Sequence, residues 1–429
     1  VNRTASRPSG GSADTVVGAL ALLVWAGLAL AVFRGAWSAD LAAVYFAGRF
    51  YAEGATDLVY VASQGYFGDG LPAAWADAAE GYGVARHEIT VYLYPPLWAA
   101  LMAPVTAAIS PQTFGDIVMP IHVAMLALSV PLAWQIAGAP VRFGVWAVFA
   151  ALLLTLGMPA SVAVMQNQPQ VTVLFLTLLA FHSARAGRPL GAGALLGLAA
   201  ALKISPAVFV LVFLLERDWR AVAGFALVGG GLALASIALA GWELHLAFLG
   251  NLADFGGLVQ RTRTAWSLEP VFWEIAALLE GMPLAPIAPA STDFTPEPAW
   301  MGATMRGLAA AGILATILAS RSLDPVRRVA ARILALSLVL SLTGPFGWAH
   351  YFLLPLLMLP TLFRLLPRPT ATAIVGSAFV ASSWPLFLLL DPLGGAVTYA
   401  ATVPALAMCL LLAATLAAAR SAGRAAAPA

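Results

Sequence analysis

Asp40 stands in the stretch Trp37-Ser-Ala-Asp40-Leu-Ala-Ala-Val-Tyr45-Phe-Ala-Gly-Arg49, just beyond an apolar run over 16–33. A carboxylate where a membrane segment meets a loop can act as general base toward a hydroxyl acceptor. It can equally cap a helix over 41–52, since Asp is among the common N-cap residues, and the two readings are compatible. Lys203, in Leu-Ala-Ala-Ala-Leu-Lys203-Ile-Ser-Pro206, is the only lysine among 22 basic residues. It either snorkels to headgroups or supplies a point charge for a lipid phosphate, a task suited to an ammonium. In Gln166-Asn-Gln168-Pro-Gln170 the amides either satisfy backbone at a membrane turn or read sugar hydroxyls, which need paired donors and acceptors. Trp348 and Tyr351 fit an interfacial aromatic belt, whereas His350 between them can donate to a phosphate or merely satisfy backbone. Tyr92-Leu-Tyr94-Pro95-Pro96-Leu97-Trp98 forms an aromatic shelf stiffened by prolines. Arg86-His87-Glu88 reads as a solvated cluster, and Arg261-Thr-Arg263 as a possible contact for anionic groups.

These residues need a membrane scaffold to meet. Hydrophobic residues make up 61% of the 429 and charged residues 10%, against about 25% charged in soluble domains, so the chain lacks the polar surface that water requires. Apolar segments near 117–137, 143–160, 171–184, 190–202, 204–215, 221–240, 302–319, 329–343, 351–366, 371–390 and 395–418 follow the first run. They place the chain among all-α polytopic membrane proteins. Long polar stretches at 34–92 and 241–301 interrupt them, with no repeat and no linker, so residues 1–429 read as one membrane domain. The single cysteine, Cys409, and five scattered histidines offer neither a disulfide framework nor a metal-type spacing. Arg3 and Arg7 precede the first run as in a signal peptide, but no small-x-small cleavage pattern follows it, so a retained anchor is expected.

Arginines in the short loops, from Arg142, Arg185 and Arg188 to Arg364, Arg368, Arg420 and Arg424, set the orientation. All fall on the cytoplasmic side, with both termini, if the proline-broken segment 93–109 does not cross. It then belongs, as a re-entrant or interfacial helix, to a first extracytoplasmic loop over 34–116, and 241–301 forms the second. About 12 crossings result. Seven of the twenty carboxylates lie in 34–92 and seven in 241–301, which agrees with that arrangement. Asp40, the turn at 161–170, Lys203 and the turn at 344–350 all come to the outer side. The spans 190–202 and 204–215 reach only about 20 Å each at 1.5 Å per residue, which puts Lys203 below the outer surface.

Taken together, Asp40-x4-Tyr45-x-Ala-x-Arg49 with Gly54 and Tyr60, Tyr94-Pro95-Pro96-Leu97, Gln168-Pro-Gln170-Val, Ala199-Ala-Ala-Leu-Lys203-x-x-Pro206 and Trp348-x-His350 resemble the GT-C glycosyltransferases. The specific resemblance is to glycosyltransferase family 87, which includes polyprenyl-phosphomannose-dependent alpha-mannosyltransferases. It implies a GT-C-type bundle with juxtamembrane helices in the two long loops. It further implies an inverting transfer of a sugar, mannose by family, from a polyprenyl-phosphate donor to a hydroxyl of a lipid or glycan acceptor. In that scheme Asp40 is the base, Lys203 and His350 hold the donor phosphate, and Tyr45, Arg49, Tyr94, Gln168, Gln170 and Trp348 bind sugar or acceptor. Neither a cofactor, a metal nor a nucleic-acid partner is implied; the partners are the two substrates and membrane lipids. The implied location is the inner (plasma) membrane with an extracytoplasmic active site. Asn167 stands where the family commonly has Gly, and Ala265-Trp266-Ser267-Leu268 stands where an Asn-Gln-Ser-type motif is expected. Two other classes fit a membrane cavity, a flippase of lipid-linked sugars and a noncatalytic lipid-binding protein. Transporters often carry paired repeats and broken helices, and no second copy of any segment is found here.

Overall fold

The computed structural model describes residues 11–61, 72–85, 88–90, 92–282, 284, 287, 292–395 and 397–425. Arg3, Arg7 and the Arg86-His87 pair lie outside them. The first polar stretch folds between α1 (Ser12–Phe33) and α5 (Pro111–Ile136) as α2 (Ala39–Ala52), α3 (Ala73–Glu80) and α4 (Pro96–Ala108). The bundle continues through α6 (Phe143–Leu156), α7 (Met158–Met165), α8 (Gln170–Arg185), α9 (Pro189–Leu202), α10 (Val210–Leu215) and α11 (Trp219–Ala240). The second polar stretch holds α12 (Trp242–Gly256) and α13 (Leu268–Leu279). It also holds an antiparallel hairpin of β1 (Leu258–Arg261) and β2 (Asp293–Pro296), which the helical expectation did not include. Then come α14 (Met301–Ser320), α15 (Pro325–Thr343), α16 (Leu353–Leu357), α17 (Leu362–Leu365), α18 (Arg368–Ala381), α19 (Trp384–Leu390) and α20 (Tyr399–Ala425). Among the described residues α1, α5, α11, α14 and α20 are long and apolar enough to cross a membrane.

Other apolar runs are broken. The 143–160 run divides at Gly157, one residue before Met158-Pro159, and the 371–390 run divides at Ser382-Ser383, before Trp384-Pro385. A proline lacks the N–H that a continuous helix would use, so each break falls where the proline can sit in a new first turn. The freed backbone groups find one another: Met158 N donates to Ser382 O at 2.8 Å, and Gly157 bridges Ser383. That is how non-helical backbone is tolerated at membrane depth.

Two apolar cores form. One joins the bundle helices through residues such as Trp25, Leu126, Leu153, Leu334 and Phe352. The other is an aromatic roof built from both polar stretches, with Tyr45, Phe46, Phe50, Trp75, Tyr92, Phe248, Phe255 and Phe346. Helix α4 belongs to this roof. It starts where Trp98 donates to Ala201 O, at the end of α9, and finishes at Ile109, whose carbonyl accepts from Tyr45. Both ends of α4 therefore lie at the same end of the bundle.

The opposite end gathers the short arginine-bearing loops. Arg142 pairs with Asp14 at 3.1 Å, Arg364 donates to Gly138 O, and Glu216 takes Arg328 at 2.5 Å and Arg332 at 2.6 Å. Loops assigned to one side by charge alone are thus together in space.

Helices α9 and α11 pack backbone to backbone. A Cβ on Gly193 would stand 1.8 Å from Ala221 O, and one on Gly224 2.1 Å from Leu190 O. Small residues permit this approach where lipid supplies no hydrophobic drive. Gly193→Ala is expected to destabilise the protein by about 1–3 kcal/mol through overpacking. Gly191→Ala, with nothing within 4 Å, should be neutral. Thermal unfolding in detergent distinguishes them, and equal midpoints would refute the close packing.

Candidate active site

Helix α9 ends because Pro206 cannot continue it. Lys203 is left in an extended conformation (φ −153°, ψ 131°), and a 3-10 turn over Ser205–Phe209 leads into α10. The short α9 therefore delivers Lys203 to the floor of a cavity of about 420 Å³. The roof supplies Asp40, Thr90, Tyr94 and Pro95; the turn before α8 supplies Gln168, and the first residue of α8 is Gln170; the turn after α15 supplies Phe346, Trp348 and Tyr351. One flank is apolar, with Val173 and Leu174 of α8, Phe209, Leu340 of α15 and Leu354. Ile204 and Leu252 line it too and are exposed, forming a lip open toward the bundle's outside.

Asp40 is not the cap of its helix. Helix α2 starts at Ala39 with Ser38 in the capping position, and no side chain caps it. The carboxylate in that first turn points into the cavity, where Oδ2 accepts from Gln168 Nε2 and Oδ1 lies 3.1 Å from Thr90 Oγ1. Tyr94 donates to Gln168 Oε1 at 2.9 Å, which turns the amide so that its NH2 faces Asp40. Tyr94 is fixed in turn, because its carbonyl accepts from Tyr60 at 2.6 Å. Burial pushes the Asp40 carboxyl up to about 6, while Thr90, Gln168 and the Lys203 charge pull in the other direction. Desolvation disfavours the charged form, and nearby donors and cations favour it. The outcome is a carboxylate ionised at neutral pH yet basic enough to take a proton.

Lys203 Nζ lies 3.7 Å from the Tyr351 ring centroid. Salt bridges among the described residues all use arginine. The ammonium is thus held by an aromatic face and the more distant Asp40 charge, and it has no salt-bridge partner among the described residues.

The Trp348–Tyr351 turn is pinned by the second polar stretch. Trp266 N donates to Gly347 O and Ala349 N to Thr264 O, both at 2.8 Å. Gly347 makes this possible, since a Cβ there would meet Ser267 Cβ at 2.2 Å. The segment Ala265–Ser267, where the expected motif is missing, therefore contacts the cavity wall through backbone.

Asp40, Tyr94, Gln168, Gln170, Lys203 and Trp348 meet in the cavity, and three other expected residues do not line it. Tyr45 is buried in the roof, its hydroxyl 2.8 Å from Ile109 O. Arg49 pairs with Glu53 at 2.8 Å. A helix turns about 100° per residue, so Tyr45 and Arg49 lie roughly 140° and 180° around α2 from Asp40 and face away. His350 is buried behind Tyr351, ring centroids 4.7 Å apart, and neither ring nitrogen has a hydrogen-bond partner among the described residues. Arg261 and Arg263 are occupied by Glu274, Asp293 and Asp391. Thr90 joins the site without having been singled out, and Tyr351, read only as part of an interfacial aromatic belt, joins it too. Tyr351 was adjacent to Trp348-x-His350 and could have been included, whereas nothing near Thr90 marks it.

Asn167 has φ +45°, in the left-handed region. Glycine enters that region freely and asparagine more readily than most residues, so the turn is one that Asn167 can hold.

No curated protein shows a match to the chain. The model of glycosyltransferase family 87 matches residues 92–343, well over half of the 429. The matched region contains Tyr94, Gln168, Gln170 and Lys203, and flanking it on either side are Asp40 and the Trp348–His350 turn. By that match this membrane-integral chain belongs to glycosyltransferase family 87 and is a glycosyltransferase.

Proposed function

We propose that the enzyme transfers a sugar, mannose by family resemblance, from a polyprenyl-phosphate donor to a hydroxyl of a lipid or glycan acceptor, with inversion. The observation that carries this reading is one cavity holding a buried, Gln168-bonded carboxylate, a lysine and an apolar flank. The acceptor O–H gives its proton to Asp40 as its oxygen bonds to the sugar C1. The C1–O bond to phosphate breaks on the opposite face, and the phosphate leaves with the electron pair. Lys203 stabilises the charge that develops there. Tyr94, Gln168, Gln170 and Trp348 provide hydroxyl, amide and aromatic surface for sugar or acceptor, and the wall from Val173 to Leu340 suits a polyprenyl chain. His350 reaches the phosphate only if Tyr351 moves aside, so its part is secondary. Arg49 and Tyr45 support the roof. No cofactor, metal or nucleic acid enters the scheme.

In this reading about 12 segments cross the plasma membrane, both termini are cytoplasmic, and residues 1–429 form one domain. The arginine-rich loop end, opposite the cavity, supports an extracytoplasmic site. α4 lies in the first outer loop over 34–116, and 241–301 is the second.

The test is purified enzyme in vesicles with labelled polyprenyl-phosphate hexose and a lipid acceptor. A new glycosidic product is expected, and nucleotide sugar alone should give none. Labelled lipid crossing the bilayer without product would replace this reading with a flippase. The free-enzyme pH profile of kcat/KM should rise through about pH 6, because Asp40 must lose its proton to serve as base. A profile flat from pH 5 to 8 would contradict that role.

A further inference from the structure

A bonded polar cluster lies behind the Gln168 turn, and none of its members lines the cavity. His122 of α5 is 3% exposed. Its Nδ1 lies 2.7 Å from Asn167 Oδ1 and its Nε2 3.0 Å from Thr172 Oγ1. Asn167 is fully buried and donates through Nδ2 to Gly115 O at 3.0 Å. Gly115 and His122 are two turns apart on α5, so one face of that helix grips Asn167 at two points. The tautomer follows from the bonding. Asn167 spends its amide NH2 on Gly115, which leaves Oδ1 as acceptor, so His122 Nδ1 carries the proton and Nε2 is the acceptor facing Thr172 Oγ1, whose hydroxyl also lies 3.6 Å from Met125 Sδ.

The two residues His122 holds are in the segments on either side of Gln168: Asn167 precedes it and Thr172 lies in the first turn of α8. Gln168 is the residue whose amide donates to Asp40. We infer that His122 is a positioning residue for transfer, acting through Asn167 and Thr172 to keep the Gln168 amide on the Asp40 carboxylate. The inference rests on the reading of Asp40 as general base. A network with every member satisfied is stiff, and a small misplacement of a reacting group costs rate out of proportion to its size.

The test removes the grip without touching the cavity. Besides Thr90 and Gln168, Asp40 faces Lys203, Tyr94 and Tyr351, and none of these changes. His122→Leu deletes both ring bonds. Asn167→Gly deletes the side chain while permitting the left-handed φ, so its fold is safeguarded. Each is expected to lower kcat about tenfold, below the ~10²-fold that a 1 Å misplacement can cost. Each should also move the rising limb of kcat/KM by roughly half to one unit to higher pH, since loosening a donor from a carboxylate raises its pKa. Donor affinity should stay unchanged. His122→Asn, which restores a donor near the Nδ1 position, should return the limb toward wild type. A lower unfolding midpoint with an unmoved limb in both His122→Leu and Asn167→Gly would make the cluster merely structural and overturn the inference. If Asp40→Asn retains near wild-type transfer, the base reading falls and this inference falls with it. A dead Asp40→Asn with unmoved limbs overturns only the inference.

Discussion

Replacing Asp40 with Asn should lower kcat/KM by about 10²- to 10⁴-fold, the range that general-base catalysis contributes. The substitution keeps the side chain's size, and its amide oxygen can still accept from Gln168 Nε2 as Asp40 Oδ2 does. The opposing amide NH2 faces Thr90 Oγ1, an atom that accepts as well as donates. The fold around α2 should therefore survive, and the floor with Lys203 is untouched. Donor affinity is expected to change less than threefold, so the loss belongs to the chemical step, as a kcat defect with little KM effect reports. Steady-state kinetics and direct donor binding separate the two. Near wild-type kcat in Asp40→Asn would remove the base assignment, and loss of donor binding would make Asp40 a binding residue instead.

Lys203→Ala should weaken binding of polyprenyl phosphate by about 10- to 100-fold, because hydrogen bonds to charged groups contribute roughly 1.5–3 kcal/mol. The ammonium faces the cavity across Tyr351, and no carboxylate among the described residues forms a salt bridge with it. An incoming phosphate would therefore be its strongest partner. Lys203→Arg keeps the charge but brings a planar fork to a point-charge site, so a smaller loss is expected. Binding of the lipid phosphate, measured without acceptor, checks both variants. Unchanged affinity in the pair would return Lys203 to a membrane anchor that snorkels.

Much of this arrangement was legible from residue order. Apolar runs located the helices, and the arginines grouped the loops that pack together at one end, but the breaks at Gly157 and Ser382-Ser383 inside runs read as continuous were not foreseen. Pro206 marked the stop that leaves Lys203 in the cavity. Spacing alone did not carry Tyr45 and Arg49 into the site, because helix rotation turns them from Asp40. The partner of Asp40 from the 88–90 segment was invisible, since Thr90 acts only through a contact fifty residues distant. His122 was one of five scattered histidines until the fold brought Asn167 and Thr172 to its two ring nitrogens. The β1–β2 hairpin escaped because its strands are four residues each and lie far apart in the chain.

The most direct measurement is the structure of the enzyme with a polyprenyl-phosphate sugar bound. The phosphate is expected within about 4 Å of Lys203 Nζ, ordinary ion-pair distance. The lipid should run along Val173, Leu174 and Leu340, and the sugar C1 should present to Asp40 the face opposite its phosphate. A phosphate seated instead at the arginine-rich end of the bundle, or on the same face of the sugar as Asp40, would contradict the mechanism.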